Sequence, residues 1–175
     1  MSLHFRNTYS QYGLGGRVLH WSGVALLVTL IVTAGKFEDM DMSPEKAELI
    51  KRHASWGLIF LLVMFMRVYW RISNENPVRS YNIRAWQKSA ARSLHLSIYG
   101  VVITQSLIGM ANLICAGSGI PFFGFFELPP LMQKQEAAYE ISKTLHYVLS
   151  VAIYPLFAVH ISAAIYHQIF GVLDE

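Results

Sequence analysis

The sequence predicts an all-α membrane protein built as a four-transmembrane-helix bundle. Three observations carry that prediction. Of the 175 residues, 54% are hydrophobic and only 14% charged, too apolar for an ordinary soluble domain of this size. Four apolar runs, at about residues 17–35, 53–72, 93–114 and 144–170, each approach the ~20 residues that suffice to cross a bilayer as a helix. Histidines stand inside or at the ends of all four runs, and titratable groups in a span are costly and mark function. The runs leave no room for a separate water-soluble domain, so residues 1–175 are expected to form one transmembrane domain.

Composition also excludes some classes. A formal net charge of +3 is too small to suggest nucleic acid, and basic groups beside apolar spans report topology instead. Cys115 is the single cysteine, which rules out an intrachain disulfide and a CxxCH covalent haem attachment. It reads as a small buried hydrophobe. The start, MSLHFRNTYSQYGLGGR, lacks the apolar core and cleavage site of a signal peptide, so the first apolar run is expected to stay as a span.

Taken in order, Gly13, Gly15 and Gly16 mark a break before span 1, which runs from about Arg17 to Gly35 with His20 and Trp21 near its start. The charged stretch from Lys36 to Arg52 contains SPEKAE, a helix start with Ser43 as cap and Pro44 at the first position, and predicts a short surface helix. Span 2 runs from His53 to Ile72 and carries Arg67 and Arg71 towards its exit. Span 3 runs from Ser93 to Ile114, with His95 at its start. CAGSGIPFFGFFELPPL is too apolar for a free linker and too rich in Gly and Pro for a helix, which predicts a loop folded back on the bundle. Span 4, Thr144 to Phe170, contains His146, His160 and His167, with Pro155 inside it as an expected kink.

Charge sets the orientation. The N-terminus and the loop between spans 2 and 3 hold Arg6, Arg17, Arg67, Arg71, Arg79, Arg84, Lys88 and Arg92 against Glu75. The other two loops hold Lys36, Lys46, Lys51, Arg52, Lys134 and Lys143, offset by eight acids. By the positive-inside rule both termini are cytoplasmic.

Depth follows from topology. His53 and His146 fall near the outer surface; His20, His95 and His160 fall near the inner one. From His146 to His160 is fourteen residues, which returns the side chain to within about 40° of its azimuth and advances it about 21 Å. One face of span 4 thus carries an imidazole at each level, the arrangement that two stacked six-coordinate haems require. His20, His53, His146 and His160 are the candidate iron ligands. His95 is left over, as a polar neighbour of the inner haem or of a quinone. Fourteen residues beyond the other histidines lie Ala34, Arg67 and Gly109. Ala34 and Gly109 would let a flat macrocycle approach the backbone, and Arg67 could meet a haem propionate. Arg67 and Arg71 could equally snorkel towards headgroups. His167 reads as a solvated interfacial residue and His4 as part of a flexible tail. Zinc fits less well, because the outer level offers no third protein ligand.

The segments RVLHWSG, RHASWGLIFLLVMFMRVYWR, ARSLHLSIYGV and KTLHYVLSVAIYPLFAVHISAAIYHQ together resemble the bacterial cytochrome b561 family, over about Tyr12 to Phe170. FGFFELPPL is similar to an FGLFE-type outer loop found in one branch of that family. The resemblance implies a four-span, di-haem b protein of the bacterial cytoplasmic (inner) membrane. By it, His20 and His160 would hold the inner haem and His53 and His146 the outer one. It implies electron transfer between the outer face and the quinone pool, with ubiquinone as the expected substrate, and in some members oxidation of superoxide. Lys36, Lys51 and Arg52 could draw such an anion, against the opposing field of Glu38, Asp39, Asp41, Glu45 and Glu48. The chain ends at GVLDE, so the basic tail of many relatives is not expected to contribute. Two further classes remain open. One is a cytochrome b anchor subunit of a larger dehydrogenase or hydrogenase complex. The other is a haem-free transporter, whose inverted repeats and broken helices are not seen here.

Overall fold

The computed structural model describes residues 4–9, 11–75, 77 and 84–170; Arg79 and the terminal GVLDE lie outside them. Four helices, each long and apolar enough to cross a membrane, account for most of the chain: α1 (Leu14–Phe37), α2 (Pro44–Ser73), α3 (Ala85–Cys115) and α4 (Glu136–Phe170). A two-stranded hairpin, β1 (Ile120–Phe122) and β2 (Phe126–Leu128), stands between α3 and α4. Four passes return the chain to the side where it began. The molecule therefore has a termini end and a hairpin end.

Helix α1 has no capping side chain at Gly13, and the preceding segment satisfies its unpaired amides instead. Gly13, Leu14 and Gly15 donate to Asn7 Oδ1, the His4 carbonyl and the Phe5 carbonyl. Asn7 Nδ2 then donates to the Glu75 carbonyl at 2.8 Å, tying the start of α1 to the end of α2. Gly15 permits the join, because a Cβ there would sit 2.5 Å from the Trp70 ring.

The helices overrun the apolar runs. Ser43 caps α2 as expected, its Oγ accepting from the Lys46 amide at 3.1 Å. The predicted surface helix is not separate, however: α2 continues without a break to Ser73. Nothing between Lys46 and His53 breaks a helix, and Arg52 pairs with Glu48 one turn away at 3.0 Å, a spacing that supports helix. At 30 residues the helix is about 45 Å long, against an apolar bilayer thickness of about 30 Å. Likewise α3 begins at Ala85 and α4 at Glu136, each about two turns before the apolar run. Helix α4 runs through Pro155.

The loop after α3 is folded back on the bundle, as the sequence indicated, but it is ordered as a hairpin. Gly117, at φ +68, ends α3 with paired bonds from its own amide to the Ile114 carbonyl and from Ser118 to Leu113, the Schellman arrangement. Strand β1 pairs antiparallel with β2, Ile120 opposite Leu128 and Phe122 opposite Phe126. Ser55 of α2, fully buried, anchors the turn. Its Oγ accepts from the Phe123 amide at 3.0 Å and bonds to the Lys51 and Pro121 carbonyls at 2.8 and 3.2 Å. The Phe123 ring meets Trp56 edge-on at 4.7 Å, which holds Phe123 at its positive φ of 48.

Packing is uneven around the bundle. Helix α1 packs on α2, α3 on α4, and α2 on α3, whereas α4 makes no backbone approach to α1 or α2 among the described residues. One buried cluster, Leu27, Phe60, Met64, Val102 and Ile153, joins the four helices at mid-height. Many large apolar side chains elsewhere point outwards, as expected where the solvent is lipid and apolar exposure costs little.

Candidate functional site

The gap between α4 and the α1–α2 pair is crossed by histidines. At the termini end, His20 of α1 faces His160 of α4 with ring centroids 6.4 Å apart and planes at 66°. At the hairpin end, His53 of α2 faces His146 of α4, again at 6.4 Å, with planes at 82°. The two α4 residues are fourteen apart, so one helix face supplies one member of each pair.

The spacing tests what the pairs could hold. An imidazole nitrogen sits about 2.0–2.1 Å from a bound metal and about 1.1 Å from its own ring centroid, so two imidazoles on opposite sides of one iron place their centroids about 6.3 Å apart. Both pairs meet that separation. His95 of α3 also reaches His160, at 5.3 Å, but rings that close lie against each other and leave no iron's width between them. Among the described residues no group of three or more His, Cys, Asp or Glu is arranged to hold a metal ion. Each end thus offers two facing imidazoles, a set that suits a cofactor needing only two protein ligands.

Each pair has its own surroundings. His53 is held by α1: its Nδ1 lies 3.0 Å from Thr33 Oγ1, and Phe37 meets its ring edge-on at 5.5 Å. His146 rests on α3, where a Cβ on Gly109 would come within 2.9 Å of its Cε1. The Gln105 backbone carbonyl lies within reach of its ring, while the Gln105 side-chain Oε1 is buried without a hydrogen-bond partner among the described residues. Gly109 was picked out in the sequence as room for a macrocycle; what it makes room for is the imidazole. Around His20 and His160, Trp21 and Phe157 meet the rings edge-on at 5.3 and 6.3 Å.

Arg67 lies beside the termini-end group, within electrostatic reach of His20, His95 and His160. It and Arg71 stack over Tyr99, at 5.5 and 5.9 Å from the ring centroid. Neither arginine is in an ion pair among the described residues. All four ion pairs among the described residues, Lys51–Glu127, Arg52–Glu48, Lys134–Glu136 and Lys143–Glu140, lie towards the hairpin end. Lys51 and Arg52, named in the sequence as attractors of an outer anion, are thus each matched by a carboxylate, at 2.9 and 3.0 Å. A small recess of about 180 Å³ between α2 and the hairpin is lined by these groups with Ser55 and Phe123, and its charges largely cancel.

Sequence reasoning did not find Thr33 or Tyr99. Thr33 stands thirteen residues after His20, one short of the step searched, and a hydroxyl in an apolar run is the signal that marked it. Tyr99, one helical turn beyond His95, was equally visible.

The chain is similar to known proteins over nearly its whole length. The family model for prokaryotic cytochrome b561 matches residues 11–174. The chain is 24% identical, over 173 residues covering 95% of its length and 89% of the relative's, to cytochrome b561 homolog 2 of Escherichia coli (strain K12). It is 25% identical, over 157 residues covering 86% of its length and 85% of the relative's, to cytochrome b561 homolog 1 of the same organism.

Proposed function

This chain belongs to the prokaryotic cytochrome b561 family, membrane electron-transfer proteins with b-type haem, and from that premise we propose that it binds two haems and links an outer-side redox partner to the quinone pool. The observation that carries this reading is the pair of 6.4 Å imidazole contacts, one at each end of the same gap. His20 and His160 would hold one iron, His53 and His146 the other. Bound there, haem supplies one-electron redox chemistry that no side chain can. The protein's part is to fix the four imidazoles, to keep water out with the mid-height apolar layer, and to offer cations to the propionates. Arg67, paired with no carboxylate among the described residues and beside the termini-end imidazoles, is suited to that last role.

The excess of basic residues at the termini end supports a cytoplasmic placement of that end, in the inner membrane, with all 175 residues in one domain. A quinone, ubiquinone by family resemblance, is best accommodated near His95, Tyr99, Arg67 and Arg71, where polar groups meet lipid. On the outer side, superoxide is a candidate donor, but the pairing of Lys51 and Arg52 leaves only a short-range field to draw it in. A second reading, an anchor subunit of a larger complex, is favoured by the hairpin tip, where Phe125 is 85% exposed. Co-purification of a partner that is lost on Phe125→Ser would support it.

The deciding experiment is a pyridine haemochrome assay on protein purified from haem-replete cells. Two b haems per chain are expected. One would mean that a pair is misassigned, and none would overturn the reading.

A further inference from the structure

We propose that Thr33 is the positioning residue of His53: its hydroxyl oxygen accepts the Nδ1 proton, fixes the tautomer that leaves Nε2 free for iron, and raises the donor strength of that nitrogen. The inference rests on the two-haem reading and concerns only how this chain prepares one ligand.

The direction of the hydrogen bond follows from counting protons. A threonine hydroxyl carries one proton and two lone pairs. Thr33 Oγ1 lies 2.8 Å from the Thr29 carbonyl and 3.0 Å from the Leu30 carbonyl, neither of which can donate. Those carbonyls can take the hydroxyl proton and leave an Oγ1 lone pair for the ring. A neutral imidazole that offers Nε2 to iron carries its hydrogen on Nδ1, so in that state Nδ1 donates to Thr33 Oγ1 at 3.0 Å. The Leu30 carbonyl also lies within reach of the ring. Inside a bilayer no water competes for these groups, and the ring is further confined by Phe37, edge-on at 5.5 Å.

The opposite ligand differs. The His146 ring rests on the bare backbone at Gly109 and has within reach the Gln105 backbone carbonyl, not a hydroxyl. A hydrogen bond from Nδ1–H raises the basicity of the ligating nitrogen, and such partners typically change metal affinity by about 10- to 100-fold. Thr33 thus tunes one ligand of the pair through the ring it holds.

The test uses the purified holoprotein and its Thr33→Val and Thr33→Ser variants. Valine keeps the shape and removes the acceptor; serine restores it. Haem per chain and a spectroelectrochemical titration are the readouts, with the two haems told apart by the His53→Ala protein, which should keep only the termini-end haem. In Thr33→Val the hairpin-end midpoint should move upward, because a more basic ligand favours the ferric state. A tenfold greater loss of ferric than of ferrous affinity would read as about 59 mV. The other midpoint should stay, and Thr33→Ser should return the shift. An unchanged hairpin-end midpoint, a shift at the other haem, or a shift that serine does not reverse would overturn the inference. If Thr33→Val loses the hairpin-end haem altogether, retention in Thr33→Ser supports it and loss in both overturns it. Wild-type protein without haem, or His53→Ala protein with both, would instead defeat the two-haem reading.

Discussion

Gly109→Ala offers a direct test of how the hairpin-end pair is seated. The added methyl would stand 2.9 Å from His146 Cε1 and 3.3 Å from its Nδ1, where ordinary contacts begin near 3.4 Å. In the absence of cofactor the imidazole is the end of a side chain and can swing aside at small cost. Once Nε2 is bound to iron, the ring cannot yield without straining that bond or moving α3 from α4. Overpacking of this kind costs about 1–3 kcal/mol, and here it falls on the haem-bound form alone. The expected loss is therefore roughly 5- to 150-fold in haem affinity at one site. Transfer of haem to an excess of a scavenging globin measures it: one of the two haems should leave faster from Gly109→Ala, and the other at the wild-type rate. Equal rates for both haems in variant and wild type would refute the claim that His146 is held against the Gly109 backbone.

Other variants probe the remaining parts. His20→Ala and His160→Ala should each leave one haem per chain, the same one in both, while His53→Ala and His146→Ala leave the other; haemochrome assay with redox titration distinguishes them. Ser55→Ala strips the half-buried Phe123 amide of its acceptor, at a cost of about 1 kcal/mol, and should speed hydrogen exchange across Ile120–Leu128 while both haems stay bound. Lys51→Gln removes an ion pair between half-exposed side chains, worth about 0–1 kcal/mol; a change of thermal midpoint beyond that would show that the hairpin depends on the pair. His95→Ala should keep both haems and lose quinone reduction, and loss of a haem would move His95 into the ligand set.

The parts of this fold that were legible in the sequence are those that hydropathy and helical period encode locally. The four spans and the cap at Ser43 follow from runs and spacings within single segments; the two histidine levels needed the charge bias of the loops as well, and the family and its histidine pairing came from the resemblance of the four histidine-bearing segments. The overhangs of α2, α3 and α4 were not legible, because charged helical turns outside the bilayer look like loop on an apolar scale. The hairpin was missed as structure, since three-residue strands leave too short a pattern to read and its order comes from Ser55, a residue 66 positions before Pro121. Thr33 and Gly109 show the same limit in the site. Both stand out as residue types, but which ring each one touches depends on the relative rotation of neighbouring helices.

The buried core connects the fold to its proposed use. Leu27, Phe60, Val102 and Ile153 stand seven residues after His20, His53, His95 and His146 respectively, and Ile153 also stands seven before His160. Seven steps keep a residue on nearly the same helix face and move it about 10 Å along the axis. Every span thus presents a histidine at one level and its best-buried apolar residue at mid-height. Hydrophobic burial contributes little between helices in lipid, so this layer coheres by close packing. The layer joins α4 to α1 and α2 through side chains while their backbones stay apart, and above and below it the imidazoles face one another across that gap. A layer drawn tight at the ends instead would close the space between the paired rings. The one tight layer, at mid-height, keeps the two histidine levels about 20 Å apart and leaves each level open to receive a flat ligand.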